Sequence, residues 1–141
     1  MKLLTRGRYG TRVLLHLAVR CGEGPIPLKD IAQRQGISLP YLEHLITPLE
    51  AAGIIKSCRG ARGGMWLVKP PQEVRLNEVI PLLEGPIAPV ECVNNARTCP
   101  HSDLCVSRVI WGRTKKAMNG VLESTSLQDL VELERRIGNV N

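Results

Sequence analysis

The chain has 141 residues, 43% of them hydrophobic, with no Phe, two Trp, two Tyr and a formal net charge of +6. That length suits one domain, or one domain with a helical arm, and is enough to bury a core of Leu, Ile and Val without covalent staples. No apolar run approaches the roughly 18 to 20 residues of a bilayer span, and the basic start before Val13-Leu14-Leu15 meets His16 and Arg20 and lacks a small-residue cleavage site, so membrane and secreted classes are set aside.

The expected location is the cytoplasm, where thiols stay reduced. Five cysteines there read as ligands, sensors or buried hydrophobes before they read as disulfides. The charge is uneven: residues 1–70 hold 11 Lys or Arg against 4 Asp or Glu, whereas residues 71–141 hold 8 against 9. A basic N-terminal half is the expected surface for a polyanion, although a scattered basic surface is the plainer reading of charge alone.

In chain order, Tyr9, Val13, Leu14, Leu17 and Ala18 recur at helical spacing, which predicts a first helix over 5–20 capped by Thr5. Cys21-Gly22-Glu23-Gly24-Pro25 ends it. A short helix follows over 27–36, with Leu28, Ile31 and Ala32 inward and Gly36 as a left-handed terminator. Ser38 then caps a third helix to about Ala52, whose inner stripe is Leu42, Leu45, Ile46 and Leu49. Two short helices joined by a small turn make a helix-turn-helix. Pro48 removes a backbone donor and is expected to bend or interrupt the third helix.

Ile54–Cys58 and Met65–Lys69 flank the glycine-rich Arg59-Gly60-Ala61-Arg62-Gly63-Gly64 and predict a β-hairpin, which completes a winged helix. A fourth helix is expected over 77–84. The three thiols Cys92, Cys99 and Cys105 then fall in one polar loop, separated by six and five residues. A long helix is expected from a Ser102 cap to about Leu122, with Val106, Val109, Ile110, Ala117, Met118 and Val121 on one side; at about 20 residues it extends roughly 30 Å, more than a winged domain needs for its own closure. Ser126 and Asp129 have the spacing of a capping box and open a last helix with Leu127, Leu130, Val131 and Ile137 on one face. The expected class is mainly α with a small β-hairpin: a winged helix-turn-helix over 1–71, a connecting helix and cysteine loop over 72–99, and a dimerisation helix with a C-terminal helix over 100–141.

The N-terminal residues of the second helix of a helix-turn-helix meet base edges in the major groove. Here they are Ser38, Tyr41, Glu43 and His44: a hydroxyl or phenol can bond a phosphate or base edge, and Glu43 can accept from a cytosine amino group. Arg59, with Arg62 second, suits a narrow minor groove, where negative potential concentrates. The plainer readings are that Tyr41 packs on the domain and that the arginines are solvated. Thiolate is the soft ligand that iron–sulfur clusters take, usually four at a time, and three are present. Zinc held as Cys3His with His101, a metal-free thiol switch and vestigial cysteines stand beside that reading. Cys21 and Cys58 are expected to be buried bystanders. The three histidines and scattered acids yield no nucleophile, base and orienting group, so no enzyme is expected.

Lys2-Leu3 with Gly7-Arg8-Tyr9, Ile31-Ala32 with Gln35-Gly36-Ile37-Ser38, Tyr41-Leu42-Glu43, the Arg59–Gly64 run, Leu83-Glu84-Gly85-Pro86 and Val90-Glu91-Cys92, in that order, resemble the winged-helix regulators typified by the iron–sulfur cluster regulator IscR and the nitric-oxide sensor NsrR. The likeness covers about residues 1–130. It implies a homodimer on palindromic promoter DNA, the same four recognition-helix positions, and a [2Fe–2S] or [4Fe–4S] cluster on the three cysteines, sensing nitric oxide, redox state or cluster supply. The chain departs from the pattern at the fourth ligand. The histidine expected three residues after the last cysteine is Arg108, and the acidic residue some relatives use in the first helix is Arg8; His101, then Asp103, Glu91 or an exogenous ligand, are the substitutes.

Overall fold

In the computed structural model, which describes residues 4–140, the first three helices are α1 (Thr5–Val19), α2 (Leu28–Gln35) and α3 (Leu39–Ala51), followed by the hairpin β1 (Ile55–Cys58) and β2 (Gly64–Leu67). Then come α4 (Leu76–Glu84), an irregular stretch of short 3-10 turns, α5 (Val106–Ser124) and α6 (Leu127–Val140). Lys2 and Leu3 of the resemblance lie outside the described residues. No helix among the described residues is long and apolar enough to cross a membrane.

The core forms where the periodic apolar stripes meet. Val13, Leu14 and Leu17 of α1, Ile31 of α2, Leu42, Leu45 and Leu49 of α3 and Leu83 of α4 are buried together with Ile54, Ile55 and Met65 of the hairpin and Leu127 and Val131 of α6. Gly36 terminates α2 at φ 68°, a left-handed conformation that costs glycine least. Ser38 caps α3 by accepting the Tyr41 amide at 3.2 Å.

The hairpin is antiparallel with Ile55 opposite Leu67 and Cys58 opposite Gly64. Ile26 adds a short third rung by exchanging two backbone hydrogen bonds with Met65, at 3.0 and 2.9 Å. A Cβ on Gly64 would collide with the Ile26 carbonyl, so this rung requires glycine there. The winged helix is thereby complete, with the tip 59–63 projecting from a base stitched to the segment between α1 and α2.

Several local expectations change. Leu4, not Thr5, occupies the α1 cap position, and no side chain caps it; Thr5 is already the first helical residue. Pro48 does not interrupt α3, which continues to Ala51 because Leu45, Ile46 and Leu49 on either side of it are buried. Their burial, at about 2 kcal/mol each, outweighs the ~3 kcal/mol of an internal proline. Ser102 does not cap α5: it is buried inside a 3-10 turn, Ser102–Leu104, and Cys105 holds the cap position. Ile137 is 65% exposed and leaves the α6 stripe that Leu127 and Val131 bury. Cys21 and Cys58 are exposed, not buried, because they lie at a helix end and a strand end beyond the core.

The capping box is present: the Ser126 amide donates to Asp129 Oδ2 at 2.8 Å and the Asp129 amide to Ser126 Oγ at 3.1 Å. Beside it, Leu76 N–H donates to Thr125 O at 3.0 Å and Leu127 N–H to Val74 O at 2.9 Å, tying the α5–α6 junction to the start of α4. No residue of α5 is buried, and Val106, Val109, Ile110, Trp111 and Val121 are exposed along it.

Candidate nucleic-acid interface and cysteine loop

The apolar stripe of α3 fixes what its other face can do. With Leu42, Leu45, Ile46 and Leu49 inward, Ser38, Glu43, His44 and Thr47 are turned to solvent. Thr47 Oγ1 donates to the Glu43 carbonyl at 2.8 Å and is partly engaged, whereas Glu43 and His44 have free side chains among the described hydrogen bonds. Tyr41 behaves differently. Its ring stands edge-on to Tyr9, with centroids 6.2 Å apart and planes at 83°, and its hydroxyl is buried without a partner. The phenol expected at a base edge or phosphate is turned into the protein, packing α3 against α1.

The wing adds the second exposed set. Arg59 and Arg62 are exposed at a tip held by Gly63 N–H donating to Gly60 O at 2.9 Å, with Gly60 at φ 113°. Ser57 Oγ donates to a Glu50 carboxylate oxygen, so the root of the wing is tied to the last turn of α3. A contact that sequence reading missed is Arg12, whose guanidinium lies 5.3 Å from the Tyr9 ring centroid. The i, i+3 spacing of Tyr9 and Arg12 was the available signal.

Cys92, Cys99 and Cys105 sit at successive bends of the irregular stretch, in or just after the turns Glu91–Val93, Ala96–Thr98 and Ser102–Leu104, and all three are half-exposed free thiols. Arg108 Nε donates to the Cys92 carbonyl at 3.2 Å and so fastens the start of the loop to the first turn of α5. Cys105 Sγ lies 3.1 Å from Ser107 Oγ. That hydroxyl, and next the Arg108 amide, push the Cys105 thiol below its ordinary pKa. Cys105, Ser102, Asp103 and Arg108 line a cavity of about 290 Å³, into which neither Cys92 nor Cys99 reaches.

The donor types, three thiols with acids nearby, match the chemistry of a soft-metal site, and the Ser102 hydroxyl is a buried group without a partner in the same loop. The positions do not match. Among the described residues no three His, Cys, Asp or Glu side chains are close enough together to hold one metal ion. His101, the expected substitute ligand, is exposed, as are Asp103 and Glu91. In this conformation the loop is not a formed metal or cluster site.

A family model described as Rrf2, iron-dependent transcriptional regulator, matches residues 3–133. The protein rrf2 of Nitratidesulfovibrio vulgaris is 47% identical over 131 residues, covering 93% of this chain and 87% of that protein. The transcriptional regulator CymR of Bacillus subtilis is 43% identical over 92% of this chain and 89% of its own length. Among solved structures, CymR, the global cysteine regulator of B. subtilis, superposes with a TM-score of 0.79 at 41% identity, covering 94% of this chain and 98% of that one. T. potens IscR superposes at 0.75 with 38% identity over 94% of this chain and 87% of its own. With a family model spanning nearly its whole length and relatives this similar over more than nine-tenths of it, the chain belongs to the Rrf2 family of transcriptional regulators.

Proposed function

We propose that the protein is a cytoplasmic, homodimeric regulator, not an enzyme, that binds palindromic promoter DNA through α3 and the wing and adjusts that binding through its three-cysteine loop. The observation that carries the DNA reading is the division of α3 into a buried apolar stripe and an exposed polar edge of Ser38, Glu43 and His44, flanked by the exposed arginines of the wing. In the major groove Glu43 accepts from a cytosine amino group and His44 and Ser38 contact a base edge or phosphate, while Tyr41 sets the angle of α3 from within. Arg59, with Arg62, enters the minor groove. The working units are the winged helix to residue 71, the connecting segment 72–99 and the arm 100–141, whose α6 packs back into the winged-helix core while the exposed apolar side of α5 pairs with the same helix of a second copy.

A mobility-shift titration with the DNA upstream of the protein's own gene tests this reading: specific retention of that fragment over scrambled DNA is expected, and equal retention of both overturns it.

An iron–sulfur cluster, [2Fe–2S] or [4Fe–4S], on Cys92, Cys99 and Cys105 is the sensing chemistry that the soft donor set and the iron-dependent family description support. It requires the loop to close, since the sulfurs stand apart in the conformation described. A second reading, a thiol switch without metal, is favoured by one observation, the half-exposed Cys105 thiol polarised by Ser107. Zinc with His101 as fourth ligand would need the same closure. Iron and sulfide content with the visible spectrum of anaerobically purified protein separates them: a brown or red, iron-loaded sample supports the cluster, whereas a colourless, iron-free sample overturns it.

A further inference from the structure

On the face of the winged domain formed by α1, α2 and α6 there is a cavity of about 410 Å³ whose wall is strongly cationic. Arg12, His16 and Arg20 succeed one another at four-residue intervals along α1, so they share one face. Arg34 and Gln35 enter from the last turn of α2, and Glu134 of α6 is the single acid. Among the described residues the ion pairs are Arg20–Glu23 at 2.8 Å and Lys69–Glu78 at 3.1 Å, so Arg12 and Arg34 have no carboxylate partner and Glu134 pairs with neither.

Apart from Glu23, which pairs with Arg20, no carboxylate among the described residues forms an ion pair with the arginines of this wall. The C-terminal dipoles of α1 and α2 account for cations at Arg20 and Arg34. Arg12 rests on the Tyr9 ring, but neither that contact nor the dipoles account for Arg12, Arg20 and Arg34 converging on one hollow. The positive field is felt inside it: His16 is held below its ordinary pKa first by burial, then by Arg34 and Arg20, with Glu134 pulling the other way. Gln35 Oε1, also on the wall, is buried and has no donor. A buried acceptor without a partner marks a place where something with a donor fits.

We propose that this cavity binds a small molecule carrying a phosphate or carboxylate group, held by Arg34, Arg12 and His16, with a ligand hydroxyl or amine donating to Gln35 Oε1. The volume falls within the range of small-molecule sites. Binding there joins the end of α2, directly before the Gly36-Ile37 turn into Ser38, to α6 of the arm, so the ligand is a second input to DNA binding, separate from the cysteine loop. The site stands on its own geometry and does not depend on which chemistry the cysteines use.

Inorganic phosphate and, separately, succinate are titrated into the full chain while the His16 ring protons and arginine Nε–H signals are followed by NMR. Saturable shifts at His16 and Arg34 are expected with at least one of the two probes. Arg34→Gln weakens that binding at least about tenfold, the loss of one charge-assisted hydrogen bond. Glu134→Gln, on a different helix, strengthens it by removing the opposing charge. The slope of log DNA affinity against log salt stays unchanged in Arg34→Gln. Absence of saturation with both probes, parent-like binding in Arg34→Gln, or unchanged or weakened binding in Glu134→Gln overturns the proposal. A DNA salt slope reduced by about one in Arg34→Gln also overturns it, by assigning the cationic wall to the DNA backbone.

Discussion

The Gly7 amide donates to Glu84 Oε1 at 2.6 Å across 77 residues of sequence, so the first turn of α1 finds its missing acceptor in the last residue of α4. A carboxylate at a helix N-terminus satisfies an orphan donor and meets the positive end of the dipole. A Cβ on Gly7 would lie 2.8 Å from that oxygen and push the Glu84 side chain out of its present position. Glu84→Ala is expected to destabilise the fold by about 1 to 2 kcal/mol and Gly7→Val by more, read as a lower midpoint in urea with unchanged slope. Parent-like midpoints would mean that the bond contributes nothing net.

DNA contacts divide into those that position and those that select. Arg59→Ala is expected to weaken binding to every sequence and to lower the salt slope by about one counterion. Glu43→Ala is expected to leave that slope nearly unchanged or slightly steeper while reducing the preference for promoter over scrambled DNA. Fluorescence anisotropy over a salt series with both DNAs reads the two effects separately, and exchanged behaviour of the two variants would reverse the assigned roles.

No residue of α5 is buried, and Val109 and Ile110 of its apolar side are exposed. A charge placed there, as in Val109→Glu or Ile110→Glu, is expected to convert a dimer into a monomer with little change in helix content. Sedimentation equilibrium beside far-ultraviolet dichroism measures both. A variant that remains dimeric removes this face from the dimer contact.

Cys105 gains thiolate character from the Ser107 hydroxyl first. Removing that hydroxyl raises the thiol pKa, so Ser107→Ala is expected to slow alkylation of Cys105 at neutral pH and to move its pH–rate profile upward. Site-resolved mass spectrometry after brief iodoacetamide exposure reports it, with exposed Cys21 as internal standard. An unmoved profile would show that the 3.1 Å contact does not polarise the sulfur.

The Asp129 carboxyl is held below its ordinary pKa first by the Ser126 amide and then by the Ser126 hydroxyl. A depressed folded-state pKa means the unfolded chain binds the proton more readily. The contribution is therefore complete above the unfolded carboxyl pKa and is lost as pH falls through the lower folded value. Asp129→Asn is expected to lower the melting temperature near neutral pH and to lose its difference from the parent in strong acid. A constant difference across the acid range would contradict this.

Helix order, the hairpin and the capping box were legible in the sequence because each depends on residues a few positions apart. The stripes Leu42-Leu45-Ile46-Leu49 and Leu127-Val131 needed only the helical period. Glu84 meeting Gly7 was not legible, although both lay in fragments singled out by resemblance, because nothing local pairs residues 77 apart. Ser102 misled because serine is a good cap wherever a helix follows, yet the preceding turns bury its hydroxyl and shift the helix start to Val106. Tyr41 shows a limit of the candidate interface as read from sequence: it lies near the start of α3, where a DNA contact was expected, but Tyr9 of α1 packs edge-on against its ring. For the cysteine loop, spacing supplied the donors and could not supply their convergence.

The two backbone hydrogen bonds between Leu76 and Thr125 and between Leu127 and Val74 fix one end of α5 to the winged-helix body. Its other end, 19 residues away, begins at Cys105, so the helix is a lever about 28 Å long with its fulcrum at the α4 start. A shift of roughly 2 Å at the thiol end swings such a rod by only about 4°. In the proposed dimer, where a two-fold axis relates the two rods, a few degrees imposed at the thiol ends would reappear as an ångström-scale change in the spacing of the two winged-helix bodies.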